Sequence, residues 1–277
     1  MMSQLIDVKG LHNLLGDPKL VIADCRFSLQ DKAYGRQSYE KGHLPGAMFF
    51  DLDDDLSARA RAHGGRHPLP KLEDFVTKLE KAGIANDSFI VVYDDDVGVF
   101  AGRLWWMMRY LGHQEVRLLD GGLQAWKEAG YALSQEVTQR SASKYEVNLQ
   151  AQLLCSFNEV KSAIDQKDIA IIDARAAERY RGEIETIDKR AGHIPSAINK
   201  PFQDNLVNRR FKDVEALKQH YQDLKGVKKI IAYCGSGVSA AHNIIALNEA
   251  GFDKVKLYVG SWSDWSSYEE NPIATGH

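Results

Sequence analysis

The chain repeats a set of short motifs in one order along its 277 residues, and this repeat limits the possible folds more than any other feature. The matched pairs are LVIADCR at 20–26 with IAIIDAR at 169–175, GHLPGA at 42–47 with GHIPSA at 192–197, VVYD at 91–94 with IAYC at 231–234, and GGLQAW at 121–126 with GSWSDW at 260–265. Four ordered matches are hard to obtain by chance, and their spacing varies only as loop insertions would make it vary. The chain is therefore expected to contain two copies of one domain.

The two copies are predicted at residues 1–135 and 152–277. Residues 136–151 between them are mostly polar and show no apolar periodicity, as is typical of a linker on the protein surface. A length of 277 residues agrees with two domains, because single hydrophobic cores stop growing at about 250–300 residues.

Within each copy, short apolar runs alternate with amphipathic stretches. In the second copy, IAIID and KIIAY read as buried strands, whereas SAAHNIIALNEAG has the apolar spacing of a helix that stops at Gly251. Continuous apolar strands that alternate with helices indicate a parallel sheet covered on both faces. We predict the α/β class, with a parallel sheet flanked by helices on both faces in each half.

The composition excludes several classes of protein. With 44% hydrophobic residues, 26% charged residues and a net charge of −3, the chain is typical of a globular protein and lacks the basic stripe of a nucleic-acid binder. No signal-like start and no apolar run of about 18 residues are present, so we expect a cytoplasmic protein that does not bind a membrane. The sequence shows no metal-ligand spacing, P-loop or dinucleotide motif, and we expect no metal and no cofactor.

Cys234 ends a predicted buried strand and opens a loop of small residues. Ligands bind at the carboxyl ends of parallel strands, and Gly235 and Gly237 allow backbone amides to approach a bound group closely. These amides and the following helix N-terminus favour a thiolate, which makes Cys234 a candidate nucleophile. The alternative is a buried packing cysteine, but the counterpart of Cys234 in the first copy is Asp94, and a carboxylate does not readily replace a packing thiol.

A cysteine followed by an anion-binding loop is also found in cysteine phosphatases. Their Cys-x5-Arg pattern places an arginine six residues after the cysteine, where it binds the phosphoryl oxygens. That position is Ala240 in this chain, so a phosphatase remains only a minor alternative.

The motifs CGSGVSA, YEKGHLPGAMFF, FAGRLWWMMRYLGH and GSWSDW together resemble the two-domain rhodanese family of sulfurtransferases over nearly the whole chain. The resemblance implies two tandem rhodanese-like domains, of which the C-terminal one is catalytic and the N-terminal one has lost its cysteine at Asp94. It also implies that Cys234 takes a sulfane sulfur from a donor as a persulfide and passes it to a thiol acceptor such as thioredoxin, or to cyanide. We expect a monomer, because two domains can bury each other's faces.

The loop after Cys234 bears on the identity of the sulfur donor. Family members resembling thiosulfate sulfurtransferase carry basic residues where this chain has Gly235 and Ser236, whereas the neutral CGSGV pattern resembles the 3-mercaptopyruvate branch. By this resemblance, Gly235, Gly237, Val238 and Ser239 form the binding loop, with Ser239 where Thr is usual. Use of thiosulfate, and a non-catalytic persulfide carrier, remain the alternatives.

The resemblance also implies residues outside the loop. Arg179 of ERYRG matches the arginine that binds the donor, and Arg181 is a second candidate. Another arginine expected nine residues after Arg179 is replaced by Asp188. A proton relay of Ser236 with His43 and Asp31 is implied for the 3-mercaptopyruvate branch. His193 is the counterpart of His43, so a structural role for His43 is the alternative.

Overall fold

The computed structural model describes residues 3–95 and 97–276, and its contacts divide the chain into two compact units. Unit 1 runs to Ala58 and resumes at Leu69–Gln150, whereas unit 2 contains Arg59–Pro68 and the chain from Ala151 onward. This division differs from the predicted ranges 1–135 and 152–277, because Arg59–Pro68 packs with the second half. Met1, Met2, Asp96 and His277, which those ranges include, lie outside the described residues.

Unit 1 is built on a parallel sheet of five strands in the order β1-β5-β4-β2-β3. The strands are β1 (Leu5–Ile6), β2 (Leu20–Asp24), β3 (Ala47–Phe49), β4 (Phe89–Tyr93) and β5 (Val116–Leu119), and the helices are α1 (Val8–Leu14), α2 (Tyr34–Lys41), α3 (Leu72–Lys81), α4 (Val99–Tyr110) and α5 (Gly122–Glu128). Tyr39 of α2 and Trp126 of α5 pack with Ile22 and Val91 on one face of this sheet. Because side chains alternate along a strand, the intervening apolar residues face the opposite helices.

Unit 2 repeats this plan with a parallel sheet of four strands in the order β11-β10-β6-β7. Its strands are β6 (Ile169–Asp173), β7 (Ile198–Asn199), β8 (Leu206–Val207), β9 (Arg210–Phe211), β10 (Lys229–Tyr233) and β11 (Val255–Leu257), and its α-helices are α6 (Phe157–Ala163), α7 (Ala177–Tyr180), α8 (Val214–His220), α9 (Ser239–Glu249) and α10 (Ser261–Trp265). Strands β8 and β9 form a separate antiparallel pair, and short 3-10 turns cover Ala151–Leu153, Phe202–Asn205 and Gln222–Leu224. The predicted parallel α/β architecture is confirmed in each unit.

The polar segment predicted as a linker packs along unit 1. Its residues 136–150 form no helix or strand, yet Asn148 N donates to Leu111 O at 3.0 Å and Gln150 N donates to Tyr110 O at 2.8 Å. Arg140 Nη1 also donates to Leu20 O at 2.9 Å. These contacts satisfy backbone groups that the ends of regular elements leave without an intrahelical or ladder partner.

A buried Asp–Arg pair closes the end of a central strand in each unit. In unit 2, Arg175 Nη2 donates to Asp173 Oδ2 at 2.6 Å and to Gly192 O at 2.7 Å, and in unit 1 Arg26 makes the corresponding bonds to Asp24 and Gly42 O. Burial lowers the pKa of Arg175, but the attraction of Asp173 outweighs burial and raises that pKa above its ordinary value. Each pair therefore joins a strand end to a repeated GH[LI]P turn.

Among the described residues, none of the helices is long and apolar enough to cross a membrane.

We predict that Arg175→Met lowers the free energy of unfolding by about 3–5 kcal/mol, because Asp173 then keeps a buried charge without its partner. Chemical denaturation followed by circular dichroism measures this loss. The matched control is Lys228→Met, whose ion pair with Asp168 is exposed and whose loss should leave the unfolding midpoint nearly unchanged. Equal midpoints for the two variants would contradict the structural role of the buried pair.

Candidate active site

Cys234 follows β10 directly, at the carboxyl end of a strand that lies between β6 and β11. Its backbone N–H donates to Ser261 Oγ at 3.1 Å, and its carbonyl oxygen accepts from Trp262 N at 2.9 Å. Next to it, the carbonyl oxygen of Gly235 accepts from Ser263 N at 2.9 Å. The start of α10 therefore holds the backbone of Cys234 and Gly235, and the Cys234 residue is 1% exposed.

The Cys234 loop, residues 234–239, leads into the N-terminus of α9. Gly237 has φ +75°, and a Cβ placed there would overlap the carbonyl oxygen of Val259. Only glycine fits that backbone without strain. Val238 is the residue before the helix and Ser239 is its first residue, so the loop residues implied by the family resemblance share one turn at a strand-to-helix junction.

The corresponding loop of unit 1 holds an anion of its own. The carboxylate of Asp94, the counterpart of Cys234, accepts from Gly98 N at 2.9 Å, from Phe100 N at 2.9 Å and from Ala101 N at 3.3 Å. Asp94 is 4% exposed. The backbone of this strand-to-helix loop can therefore bind a buried negative charge at the position that a cysteine occupies in unit 2.

Ser236 pairs with His67, a histidine outside the predicted relay of Ser236, His43 and Asp31. The Ser236 hydroxyl lies 2.8 Å from His67 Nδ1, and both residues are 6% exposed. The ring nitrogens of His43 instead lie 2.7 Å from Tyr39 O and 3.0 Å from Glu136 O, within unit 1. The bond to Tyr39 recurs in unit 2, where His193 Nδ1 lies 2.7 Å from Tyr180 O, so the repeated histidine fixes the GH[LI]P turn in both units.

Asp31 also makes a local contact in the structure. Its side chain is exposed, and its Oδ1 accepts from Ala33 N at 3.0 Å in the turn before α2. The structure thus provides a turn role for Asp31.

The segment Arg59–Pro68 brings His67 to the Cys234 loop within unit 2. Gly64 N donates to Asp264 Oδ1 at 2.7 Å, and Arg66 N donates to Ser263 Oγ at 3.1 Å. Gly65 has φ +85°, and a Cβ there would come within 2.5 Å of the carbonyl oxygen of Gly260. Two consecutive glycines with positive φ therefore let this segment lie directly on the start of α10.

A cluster of alternating charges borders the same loop. Arg179 Nη2 donates to Glu185 Oε2 at 2.8 Å and to Asp188 Oδ2 at 3.2 Å, and Arg66 Nη1 forms an ion pair with Asp188. Burial raises the pKa of Glu185, but the N–H groups of Asp188 and Ile187 and the Arg179 guanidinium outweigh it, so the net pKa is lowered. Glu185 therefore stays ionised near neutral pH and holds Arg179 in place.

Arg181, the second arginine of ERYRG, is engaged elsewhere. Its Nε donates to Glu183 Oε1 at 2.7 Å, and the side chain of Glu183 is 54% exposed. Of the two arginines predicted to bind a donor, the structure brings Arg179 beside the Cys234 loop, whereas the contacts described for Arg181 are those of a surface ion pair.

The other two cysteines, Cys25 and Cys155, are free and buried. Burial raises the pKa of the Cys155 thiol to about 12, and burial followed by the charge of Asp24 raises the pKa of Cys25 well above its usual range. Neither thiol is poised as a nucleophile. Within 3–95 and 97–276, no cluster of three or more His, Cys, Asp or Glu side chains is arranged to hold a metal ion.

Sequence reasoning missed Arg66 and His67, because the repeat comparison finds no counterpart for their segment in the second copy. A local signal was nevertheless present in AHGGRHP at 62–68, where two glycines precede a cation and an imidazole. Loops rich in Gly and His often carry function, but the contact with a loop 169 residues away is visible only in three dimensions.

We predict that Gly237→Ala lowers the free energy of unfolding by at least about 1 kcal/mol, because a Cβ at positive φ would overlap the Val259 carbonyl oxygen. Gly235→Ala is the matched control. Its φ is ordinary, and its Cβ would meet only the movable ends of the Arg66 and Arg179 side chains, at 3.0 Å and 3.4 Å. Thermal unfolding should therefore give a lower midpoint for Gly237→Ala than for Gly235→Ala, and the reverse order would refute this account of the loop.

Comparison with known proteins agrees with this geometry. The profile of the Rhodanese-like domain matches residues 7–129 and 156–268. The chain is 44% identical to the probable 3-mercaptopyruvate sulfurtransferase of Pseudomonas aeruginosa over 99% of both chains, and 39% identical to the putative thiosulfate sulfurtransferase SseB of Mycobacterium tuberculosis over 94% of this chain and 92% of that one. The solved structure of SseA from Escherichia coli, a 3-mercaptopyruvate sulfotransferase, superposes with a TM-score of 0.83 at 30% identity and covers 95% of this chain and all of SseA. The parallel α/β unit is repeated, unit 2 carries a cysteine loop at its strand ends, and the profile matches both halves. This chain therefore belongs to the rhodanese family.

Proposed function

We propose that this protein is a sulfurtransferase that moves a sulfane sulfur from 3-mercaptopyruvate to a thiophilic acceptor through a persulfide on Cys234. The observation that carries the proposal is the position of Cys234 in a strand-to-helix loop whose counterpart in unit 1 holds the Asp94 carboxylate on three backbone amides. A loop of this kind stabilises a thiolate and the persulfide anion that replaces it. The relatives named as 3-mercaptopyruvate sulfurtransferases support the choice of donor.

In the first step the Cys234 thiolate attacks the sulfur of 3-mercaptopyruvate. An S–S bond forms, the carbon–sulfur bond breaks, and the electron pair leaves on the enolate of pyruvate, which takes up a proton. In the second step an acceptor attacks the outer sulfur, takes it, and releases the Cys234 thiolate. The acceptor is a thiol, such as that of thioredoxin, or cyanide.

The Ser236–His67 pair would supply the proton for the departing enolate. Ser236 lies two residues after Cys234 in the chain, and His67 Nδ1 lies 2.8 Å from the Ser236 hydroxyl. A positioned side chain that transfers a proton in the transition state accelerates a reaction by about 10²–10⁴-fold. Thiosulfate would not need this proton, because its leaving group is sulfite.

Thiosulfate is the second candidate donor, and the name of the Mycobacterium tuberculosis relative favours it. The neutral residues Gly235 and Ser236 argue for 3-mercaptopyruvate, since a dianionic donor gains more from basic side chains in the loop. A non-catalytic persulfide carrier is the remaining alternative, and it would load once and release its sulfur only to a specific partner protein.

We predict that incubation with 3-mercaptopyruvate adds the mass of one sulfur to the peptide that carries Cys234. Mass spectrometry under non-reducing conditions measures this addition, and Cys234→Ser should abolish it. The peptides with Cys25 and Cys155 serve as internal controls and should stay unmodified, because burial raises the pKa of both thiols and keeps them protonated near neutral pH. Absence of the added sulfur on Cys234 would rule out the mechanism, and loading without steady-state turnover would identify a carrier.

We also predict that kcat/KM is higher for 3-mercaptopyruvate than for thiosulfate. Ser236→Ala and His67→Asn should each lower kcat with 3-mercaptopyruvate by about 100-fold or more, because the enolate loses its proton donor. The same variants should change kcat with thiosulfate much less, which makes thiosulfate the internal control. A kcat/KM ten times higher for thiosulfate would contradict the assigned donor. An equal loss of kcat with both donors would contradict the proton relay.

A further inference from the structure

We propose that Asp264 of α10 is a positioning residue, which keeps His67 beside Ser236 by binding the backbone of the segment Arg59–Pro68. This inference rests on the proposed function, because it concerns the proton that the Ser236–His67 pair would supply to the departing enolate. Asp264 acts through the position of that backbone, and the imidazole of His67 remains the group that transfers the proton.

The carboxylate of Asp264 joins the segment to the core of unit 2. Its Oδ1 accepts from Gly64 N at 2.7 Å, and its Oδ2 accepts from the hydroxyl of Tyr258 at 2.6 Å. Asp264 and Tyr258 are only 5% and 2% exposed, and Tyr258 belongs to the hydrophobic core of the unit. Burial, and then the charge of Asp264, raise the pKa of Tyr258 above its ordinary value, so the hydroxyl keeps its proton for this bond. Both carboxylate oxygens are therefore fixed.

A shift of Gly64 would reach His67 through a short stretch of chain. The two residues are three positions apart, a length that spans at most about 11 Å when fully extended. Between them, a Cβ on Gly65 would lie 2.5 Å from Gly260 O, and a Cβ on Gly260 would lie 2.5 Å from Asp264 Oδ2. The segment, the start of α10 and the carboxylate are thus in direct contact. Movement of this backbone away from Asp264 therefore also moves the imidazole.

Asp264 makes the strongest of the described bonds to the backbone of this segment. The other bond from α10 joins Arg66 N to Ser263 Oγ at 3.1 Å, and that acceptor is a neutral hydroxyl. Charge-assisted hydrogen bonds, such as that from Gly64 N, are about twice as strong as neutral ones. The ion pair of Arg66 with Asp188 acts at the end of a long side chain that is 28% exposed, so it restrains the backbone less.

The repeat shows that the fold itself does not require the pair of Asp264 and Tyr258. Alignment of GGLQAW with GSWSDW places Ala125 opposite Asp264, and the two residues before the motif place Leu119 opposite Tyr258. Ala125 and Leu119 are 2% and 0% exposed, in the corresponding helix and strand end of unit 1. Unit 1 thus fills this corner with apolar side chains. Because a buried carboxylate is costly unless it is hydrogen-bonded, its presence in unit 2 agrees with a specific task there, which is to hold the segment.

Steady-state kinetics of Asp264→Ala with each donor tests this role, beside Tyr221→Phe as the matched control. Asp264→Ala should lower kcat with 3-mercaptopyruvate by about 10–100-fold, because a displaced His67 protonates the enolate poorly. The kcat with thiosulfate should change much less, since sulfite needs no proton. Tyr221→Phe also removes a buried hydrogen bond of unit 2, but that bond is to Asn205 Oδ1, so the ratio of the two kcat values should stay as in the parent protein.

Gly65→Ala tests the same contact from the side of the segment, and it serves also if Asp264→Ala does not fold. Its Cβ would overlap Gly260 O at a φ of +85°, so the segment has to move away from α10. The same donor-selective loss of kcat is expected, and the double variant should lose little more than the larger single loss, because both changes act on one contact. Asp264→Asn keeps an oxygen for Gly64 N and should recover most of the lost kcat. Equal losses with both donors in Asp264→Ala and Gly65→Ala would overturn the inference.

A crystal structure of Asp264→Ala or Gly65→Ala gives a readout that does not depend on turnover. His67 Nδ1 and the Ser236 hydroxyl should lie more than about 3.5 Å apart in these variants. An unchanged distance of 2.8 Å would overturn the role of Asp264. Absence of the persulfide on Cys234 in the parent protein would instead contradict the proposed function, and the distance in the variants would still decide the role of Asp264.

Discussion

The buried pair of Asp173 and Arg175 is the interaction on which unit 2 depends. It lies at the carboxyl end of β6, and through Gly192 O it fixes the turn that leads into β7. A buried charge without its partner is strongly destabilising, so the pair commits the chain to one geometry at this edge of the sheet. The same pair recurs in unit 1 at Asp24 and Arg26, which shows that it belongs to the repeated plan and not to catalysis alone.

From this pair a line of alternating charges runs to the Cys234 loop. Arg175 Nη1 lies 3.5 Å from Glu185, which in turn holds Arg179, and Asp188 then joins Arg179 to Arg66. Each ion neutralises its neighbours, so partly buried charges can be gathered at one edge of the sheet. The core of unit 2 thereby holds the guanidinium of Arg179 beside the Cys234 loop.

Duplication explains how one loop serves two purposes. In unit 1 the Asp94 carboxylate is covalently part of the loop and binds the amides permanently, which stabilises the turn. In unit 2 a thiol replaces the carboxylate, and two arginines border the adjacent glycine. A backbone arrangement that binds an internal anion in one copy is therefore available for a reactive sulfur in the other.

The sequence by itself determined the repeat, the parallel α/β class, and the cysteine at a strand end, because apolar strands, helix periodicity and glycine positions are local properties of the chain. The predicted strands at Ile169–Asp173 and Lys229–Tyr233 agree with the structure to the residue. Tertiary structure alone decided that His67 meets Ser236 and that Arg66 stands beside Gly235. These contacts join residues that are far apart in sequence and have no counterpart in the repeat. Only the packing of two positive-φ glycines against α10 brings them together, and no local pattern encodes that contact.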